Sequence, residues 1–162
     1  MILSDVDGVL TDGRITYDNQ GIESKSFSAR DGLGIKLWMQ AGHHFGMLTA
    51  RSSHIVRIRA AELQVPIVRQ GFEDKLPVAQ QVMAEHGLVA EQVCYIGDDL
   101  PDLAVMRMVG LAATVSDAAP EVLKAAHLVI DRPGGQGAVR VLIEKILEAQ
   151  RKWSELRARF EA

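Results

Sequence analysis

Short apolar runs alternate with helix-period segments along nearly the whole chain, and this alternation limits the available folds more than any other feature. The runs Met1–Ser4, His44–Leu48, Pro66–Val68, Gln92–Ile96, Leu111–Thr114 and His127–Ile130 have the length and composition of strands. Between them, Gly32–Gln40, His54–Leu63, Lys75–His86, Asp102–Met108 and Pro120–Ala125 space their apolar residues as one face of a helix does. Strands that are apolar throughout are covered on both faces, and strands separated by helices join in parallel. The pattern therefore predicts an α/β fold, a Rossmann-like parallel sheet sandwiched by helices with right-handed crossovers. A ligand of such a sheet sits beyond the carboxyl ends of its strands. The 162 residues suffice for one domain, residues 1–162, with a substantial core.

Two segments depart from the rhythm. Residues 14–28 read as a β-hairpin after the first strand: Ile15 and Tyr17 alternate with polar residues, Asn19-Gln20-Gly21 makes the turn, and Ile22–Phe27 returns. A lone hairpin is marginal in water, so it is expected to pair with another subunit. Residues 137–160 read as one long C-terminal helix whose seam is Val139, Leu142, Ile146, Ala149, Trp153, Leu156 and Phe160. The part up to Leu147 suits a helix on its own sheet. Beyond Gln150 charge dominates, which points that end towards a neighbouring subunit.

Charge and cysteine content remove several function classes. Eighteen Lys and Arg against 21 Asp and Glu leave a net charge of -3, without the basic footprint of a nucleic-acid binder. No apolar run is long enough to span a bilayer, and Met1–Asp5 has no basic leader, so no membrane partner is expected. The single cysteine, Cys94, lies in an apolar strand and suits a core position in a reducing compartment. Together these predict a soluble, cytoplasmic protein.

The residues with chemistry cluster at strand ends. Asp5 and Asp7 leave the first strand in Asp5-Val6-Asp7-Gly8, and a second acidic group, Asp98, Asp99 and Asp102, follows the strand ending at Ile96. Capping accounts for one or two of the latter carboxylates but not all three. Carboxylates converging from two strand ends call for a cation, and hard oxygen donors select Mg²⁺. Thr49 ends another strand at a helix start, where a hydroxyl and free N–H groups can hold a phosphate oxygen. Lys75 begins a helix, a position that opposes the macrodipole and so favours a functional reading. His43 and His44 suit a loop rather than a metal site, and Gly134, Gly135 and Gly137 suffice as a turn.

In this order, Asp5-x-Asp7, Thr49, Lys75 and Asp98 resemble the signature of the haloacid dehalogenase superfamily of aspartate-nucleophile phosphohydrolases. The stretches between the motifs leave no room for an inserted cap domain. The segments DVDGVLTDG, GRITYDNQGIESKSF, ARDGLGIK, LTARSS, QGFEDKL, GDDLPD and RPGGQGAVR resemble the capless sugar-phosphate phosphatase branch, with Ala50 where that branch usually has glycine. The resemblance implies Asp5 as nucleophile, Asp7 as general acid and base, and Thr49 and Lys75 on the phosphoryl oxygens. It implies Mg²⁺ held by Asp5, the main-chain carbonyl of Asp7 and Asp98, with Asp99 or Asp102 in support. Arg51 and Arg59 can pair with a substrate carboxylate, and the branch adds Arg30 and Asp31 to the substrate-binding set. The implied substrate is a 2-keto-3-deoxy sugar acid phosphate from lipopolysaccharide biosynthesis. Arg51 favours the eight-carbon 3-deoxy-D-manno-octulosonate 8-phosphate over the nine-carbon 2-keto-3-deoxy-nononate 9-phosphate. The branch also implies a homotetramer whose neighbouring subunits cover the site. A non-catalytic scaffold module, as attached to some sugar-nucleotide synthetases, is the rival reading.

Overall fold

The computed structural model describes residues 1–161 and contains the sheet that the alternation predicts. In chain order the elements are β1 (Ile2–Ser4), β2 (Thr16–Tyr17), β3 (Glu23–Ser24), α1 (Ala29–Gln40), β4 (Phe45–Thr49), α2 (His54–Leu63), β5 (Ile67–Gln70) and α3 (Lys75–Glu85). They continue with β6 (Cys94–Gly97), α4 (Leu103–Met108), β7 (Leu111–Thr114), α5 (Pro120–Ala125), β8 (Leu128–Val129), α6 (Ala138–Ala149) and α7 (Trp153–Ala158). Six strands pair in parallel in the order β5-β4-β1-β6-β7-β8. β1, β4 and β6 are buried along their whole length, as continuous apolar runs require. Helix starts carry local caps: Ser28 accepts from Asp31 N before α1, and Asp74 accepts from Leu76 N before α3.

The topology sets the position of the site. From β1 the chain crosses to β4 and moves outward to β5; it then returns past β1 to β6 and builds outward the other way. The reversal lies between β1 and β6, where the helices leaving adjacent strand ends diverge and open a crevice. Asp5 and Asp98 are the residues that follow these two strands.

One expectation is corrected. Residues 137–160 do not form one helix. The chain breaks between α6 and α7, with Arg151 left-handed at φ 59, and Lys152 N donates to Leu147 O at 2.8 Å. That turn folds the tail back on its own domain. Leu156 is buried, Trp153 lies under the Arg140 guanidinium at 5.2 Å, and Phe160 stays outside at 63% exposure. The hairpin β2–β3 also engages its own domain, through the polar side chains Tyr17, Glu23 and Lys25. Its apolar residues Ile15, Tyr17 and Ile22 remain exposed, the last at 64%. Among the described residues, no helix is long and apolar enough to cross a membrane.

Candidate active site

The loop after β1 is built around a glycine. Asp5 N donates to Ile96 O at 2.9 Å, which locks the β1 exit beside β6. The chain then turns through Gly8 at φ 97, and Thr11 Oγ1 accepts from Gly8 N and Gly13 N to hold the turn. A Cβ on Gly8 would lie 2.0 Å from Asp98 Oδ2. The missing side chain therefore does two things: it permits the left-handed backbone, and it lets the second acidic loop close on the first. Gly134 braces this turn from the other side, where a Cβ would meet Gly8 O at 1.9 Å. Gly134 N donates to Asp117 Oδ1 and Gly135 N to Val9 O. The glycine-rich segment thus supports the loop rather than cradling a ligand.

The second acidic loop is organised by Asp102, which is fully buried. Its Oδ2 accepts from Asp98 N at 2.9 Å and Asp99 N at 3.1 Å. Its Oδ1 accepts from Lys75 Nζ at 2.6 Å and from the Tyr95 hydroxyl at 2.5 Å. Lys75 Nζ also lies 2.9 Å from Asp5 Oδ1. A continuous chain Tyr95–Asp102–Lys75–Asp5 therefore runs from the sheet interior to the β1 exit. The lysine stands at the first turn of α3 because two carboxylates hold it there, outweighing the opposing helix dipole. Asp99 is exposed and its Oδ1 accepts from Leu100 N, a capping role.

Burial and mutual repulsion shape the titration of the cluster. Burial, reinforced by the Asp102 charge and opposed by Lys75, pushes Asp5 up to about 6. Burial, followed by the charges of Asp5 and Asp102, pushes Asp98 up to about 8. Burial would lower Lys75, but Asp5 and Asp102 outweigh it and hold the ammonium above its ordinary value.

One oxygen from each of Asp5, Asp98 and Asp102 falls within 4.8 Å of the others. Asp102 already accepts four hydrogen bonds, which makes it the brace of the group. Asp98 Oδ1 is buried without a hydrogen-bond partner among the described residues. An orphaned carboxylate oxygen beside the repelling Asp5 and Asp102 is what a hard divalent cation would satisfy, so the donor set fits Mg²⁺.

These residues line a cavity of about 310 Å³ together with Asp7, Thr49, Ala50, Arg51, Asp99 and Pro101. Thr49 is buried at the end of β4, and its Oγ1 accepts from Arg51 N at 3.3 Å. The structure thus brings together Asp5, Asp7, Thr49, Lys75, Asp98, Asp99, Asp102 and Arg51. It does not bring Arg59, Arg30 or Asp31 to this cavity. Arg59 pairs with Glu62 at 2.8 Å, donates to Ser28 O and covers the Phe27 ring, because α2 carries it two turns away from Thr49. Asp31 is buried in the first turn of α1, packed against the start of α6, where its Oδ1 accepts from Arg140 N at 2.7 Å. Arg30 lines a separate depression with Arg132 and Arg140. Sequence reasoning missed Tyr95, Glu23, Lys25 and Ser53. Tyr95 left one clue, a hydroxyl inside a strand buried on both faces, which demands a partner. His43 precedes β4 at the opposite edge of the sheet, stacked on Trp38, and burial pushes the Cys94 thiol up to about 12.

Comparison with known proteins gives a consistent set of similarities. The family model of the haloacid dehalogenase-like hydrolases matches residues 57–142. The 3-deoxy-D-manno-octulosonate 8-phosphate phosphatase of Yersinia pestis is 42% identical over 152 residues, covering 94% of this chain and 81% of that protein. The Haemophilus influenzae phosphatase of the same name is 42% identical over 153 residues, with 94% and 85% covered. Among solved structures, the Moraxella catarrhalis phosphatase in complex with a magnesium ion, a phosphate ion and a KDO molecule superposes with a TM-score of 0.96. It shares 37% identity, over 98% of this chain and 91% of that one.

Proposed function

This chain belongs to the haloacid dehalogenase-like hydrolases and is a phosphatase; from that membership we propose that it hydrolyses 3-deoxy-D-manno-octulosonate 8-phosphate through an aspartyl-phosphate. The observation that carries the mechanism is the ion pair of Asp5 with Lys75 beside the orphaned oxygen of Asp98. A carboxylate at a strand end, flanked by a fixed cation and a second carboxylate, can attack phosphorus once the phosphate dianion is screened. Asp5, Asp98 and the main-chain carbonyl of Asp7 would hold Mg²⁺, which would supply that screening. Support for magnesium and for the substrate comes from the Moraxella structure and from the Yersinia and Haemophilus relatives.

Each side chain has one task in this reading. Asp5 forms and releases the phosphoryl bond. Asp7 gives a proton to the leaving sugar oxygen and later takes one from water. Lys75 and the Thr49 hydroxyl hold the transferring oxygens where charge develops. Asp102 fixes Lys75 and the Asp98 turn. Arg51, at the cavity rim, meets the substrate carboxylate. The cavity is open, and the exposed Ile15, Tyr17 and Ile22 on the hairpin support a homotetramer in which neighbouring subunits cover it. The single buried Cys94 fits a reducing cytoplasm.

The test is Mg²⁺-dependent phosphate release across octulosonate 8-phosphate, nononate 9-phosphate, hexose phosphates, nucleotides and a phosphopeptide. The highest kcat/KM is expected on the octulosonate ester. A preference for the nononate ester overturns the substrate assignment, and no turnover on any of them leaves the scaffold module. Asp5→Asn should abolish turnover while the fold persists; activity near that of the parent enzyme refutes the nucleophile.

A further inference from the structure

The hairpin delivers a lysine into the site that the mechanism above does not use. Lys25, the residue after β3, has a side chain only 1% exposed although it belongs to a surface element. Its ammonium contacts Asp7 Oδ1 and lies 3.3 Å from Glu23 Oε1. Glu23 is itself fixed, since its Oε2 accepts from Ser53 Oγ at 2.7 Å and its Oε1 from Arg51 Nη2 at 3.1 Å. The Tyr17 hydroxyl accepts from the same arginine nitrogen at 2.9 Å. The hairpin is therefore tied to the loop after β4, and that tie holds the lysine against Asp7.

The two oxygens of Asp7 consequently differ. Oδ1 is held by an ammonium. Oδ2 is buried and has no hydrogen-bond partner among the described residues, with Arg51 Nε 4.0 Å away, beyond hydrogen-bond reach. A buried carboxylate oxygen without a donor is costly in a site built only for stability.

We propose that Lys25 is a positioning residue for Asp7: it fixes Oδ1, so that Oδ2 is the atom that carries the proton in both half-reactions. This rests on the reading of Asp7 as general acid and base. In the first half, an Asp5 oxygen bonds to phosphorus as the bond to the sugar oxygen breaks. The sugar oxygen keeps the electron pair and takes the proton from Asp7 Oδ2. In the second half, a water oxygen bonds to phosphorus and its proton passes to Oδ2, while the bond to Asp5 breaks and returns its pair to the carboxylate. The sum is ester and water giving alcohol and inorganic phosphate, with Asp7 protonated as it began. Without the ammonium the carboxylate can turn, and the oxygen aimed at the leaving group is no longer fixed.

A lysine serving only to fold the hairpin would behave differently. Its loss would loosen Glu23 and Arg51, raise KM, and slow all esters alike. The experiment compares Lys25→Met, Lys25→Arg and Asp7→Asn, at saturating Mg²⁺, on a sugar-acid phosphate and on p-nitrophenyl phosphate. The alkyl ester needs a proton on its leaving oxygen, whereas the aryl ester leaves as a stabilised phenolate. On the alkyl ester, Lys25→Met should lower kcat about 10- to 100-fold, a share of what an acid–base group contributes. KM should stay within about threefold, the loss on the aryl ester should be several times smaller, and Lys25→Arg should recover most of kcat. A Lys25→Met protein that does not fold leaves the decision to Lys25→Arg and Lys25→Gln, of which only Gln should lose kcat. Near-normal turnover by Lys25→Met beside an inactive Asp7→Asn overturns the proposal and spares the acid–base reading. Equal losses on both esters with a raised KM also overturn it. Full turnover by Asp7→Asn overturns the acid–base reading itself.

Discussion

Tyr95→Phe isolates the bond that anchors the charged chain in the sheet. Tyr95 is fully buried in β6, and its hydroxyl donates to Asp102 Oδ1 at 2.5 Å. The substitution removes one oxygen and no carbon, so packing in β6 stays as it is and no cavity opens. Asp102 keeps Lys75 on Oδ1 and the amides of Asp98 and Asp99 on Oδ2, but loses one donor in a site closed to water. Hydrogen bonds to charged groups contribute about 1.5–3 kcal/mol, and the full burial of both partners places this one near the middle, about 2 kcal/mol. In a chain of this length about 1 kcal/mol shifts Tm by roughly 2–4 °C, so the expected drop is about 4–8 °C. Turnover should fall by less than about tenfold, because Lys75 keeps both carboxylates and the hydroxyl touches no reacting atom. Thermal melts with and without Mg²⁺, run beside the kinetics, check both parts. A Tm within about 1 °C of the parent protein would show that the backbone amides and Lys75 hold Asp102 unaided, and the Tyr95–Asp102 link would lose its place in the argument.

Three further outcomes follow from the same geometry. Gly8→Ala puts a Cβ 2.0 Å from Asp98 Oδ2 at a left-handed φ; Mg²⁺ affinity by calorimetry should fall about 10- to 100-fold, and unchanged affinity would refute the close approach. Asp5 and Asp98 are raised to about 6 and about 8, so the metal-free folded protein holds protons that the unfolded chain has released. Its stability should therefore decline as pH rises from about 4 to about 8, while the Tm gain on adding Mg²⁺ grows over the same range, since ligands bind metal deprotonated; a gain equal at pH 6 and pH 8 contradicts this. Arg51→Glu places a carboxylate beside Glu23 and Asp7 and should cut kcat/KM on the sugar-acid phosphate at least about tenfold more than on p-nitrophenyl phosphate; equal losses would remove Arg51 from substrate reading.

Much of the site was legible because its residues sit where the strand pattern ends. Asp5, Thr49 and Asp98 follow or close apolar runs, and parallel topology carries every such end to one edge of the sheet. The helices His54–Leu63 and Pro120–Ala125 were readable to the residue, the second because it opens on a proline in its first turn. The arginines were not. Arg59 lies on nearly the same helix face as Arg51, yet two turns of α2 carry it to Phe27 and Ser28. Asp31 reads as a polar residue in a functional segment, but its partner is Arg140 N, more than a hundred residues away. The tail misled for a related reason: its apolar spacing is helical on both sides of Arg151, and only packing shows that the backbone turns there.

The sequence by itself determined the α/β class, the central position of Asp5 and the acidic chemistry, because periodicity and motif order are local properties that survive without a partner surface. Only the tertiary structure showed how the acidic cluster is bonded. Asp102 is saturated by Tyr95, Lys75 and two amides, while Asp98 keeps an oxygen without a hydrogen-bond partner among the described residues. The tertiary structure likewise brought Lys25 from the hairpin to Asp7, since a buried charge goes where an opposite charge can meet it, at whatever distance along the chain.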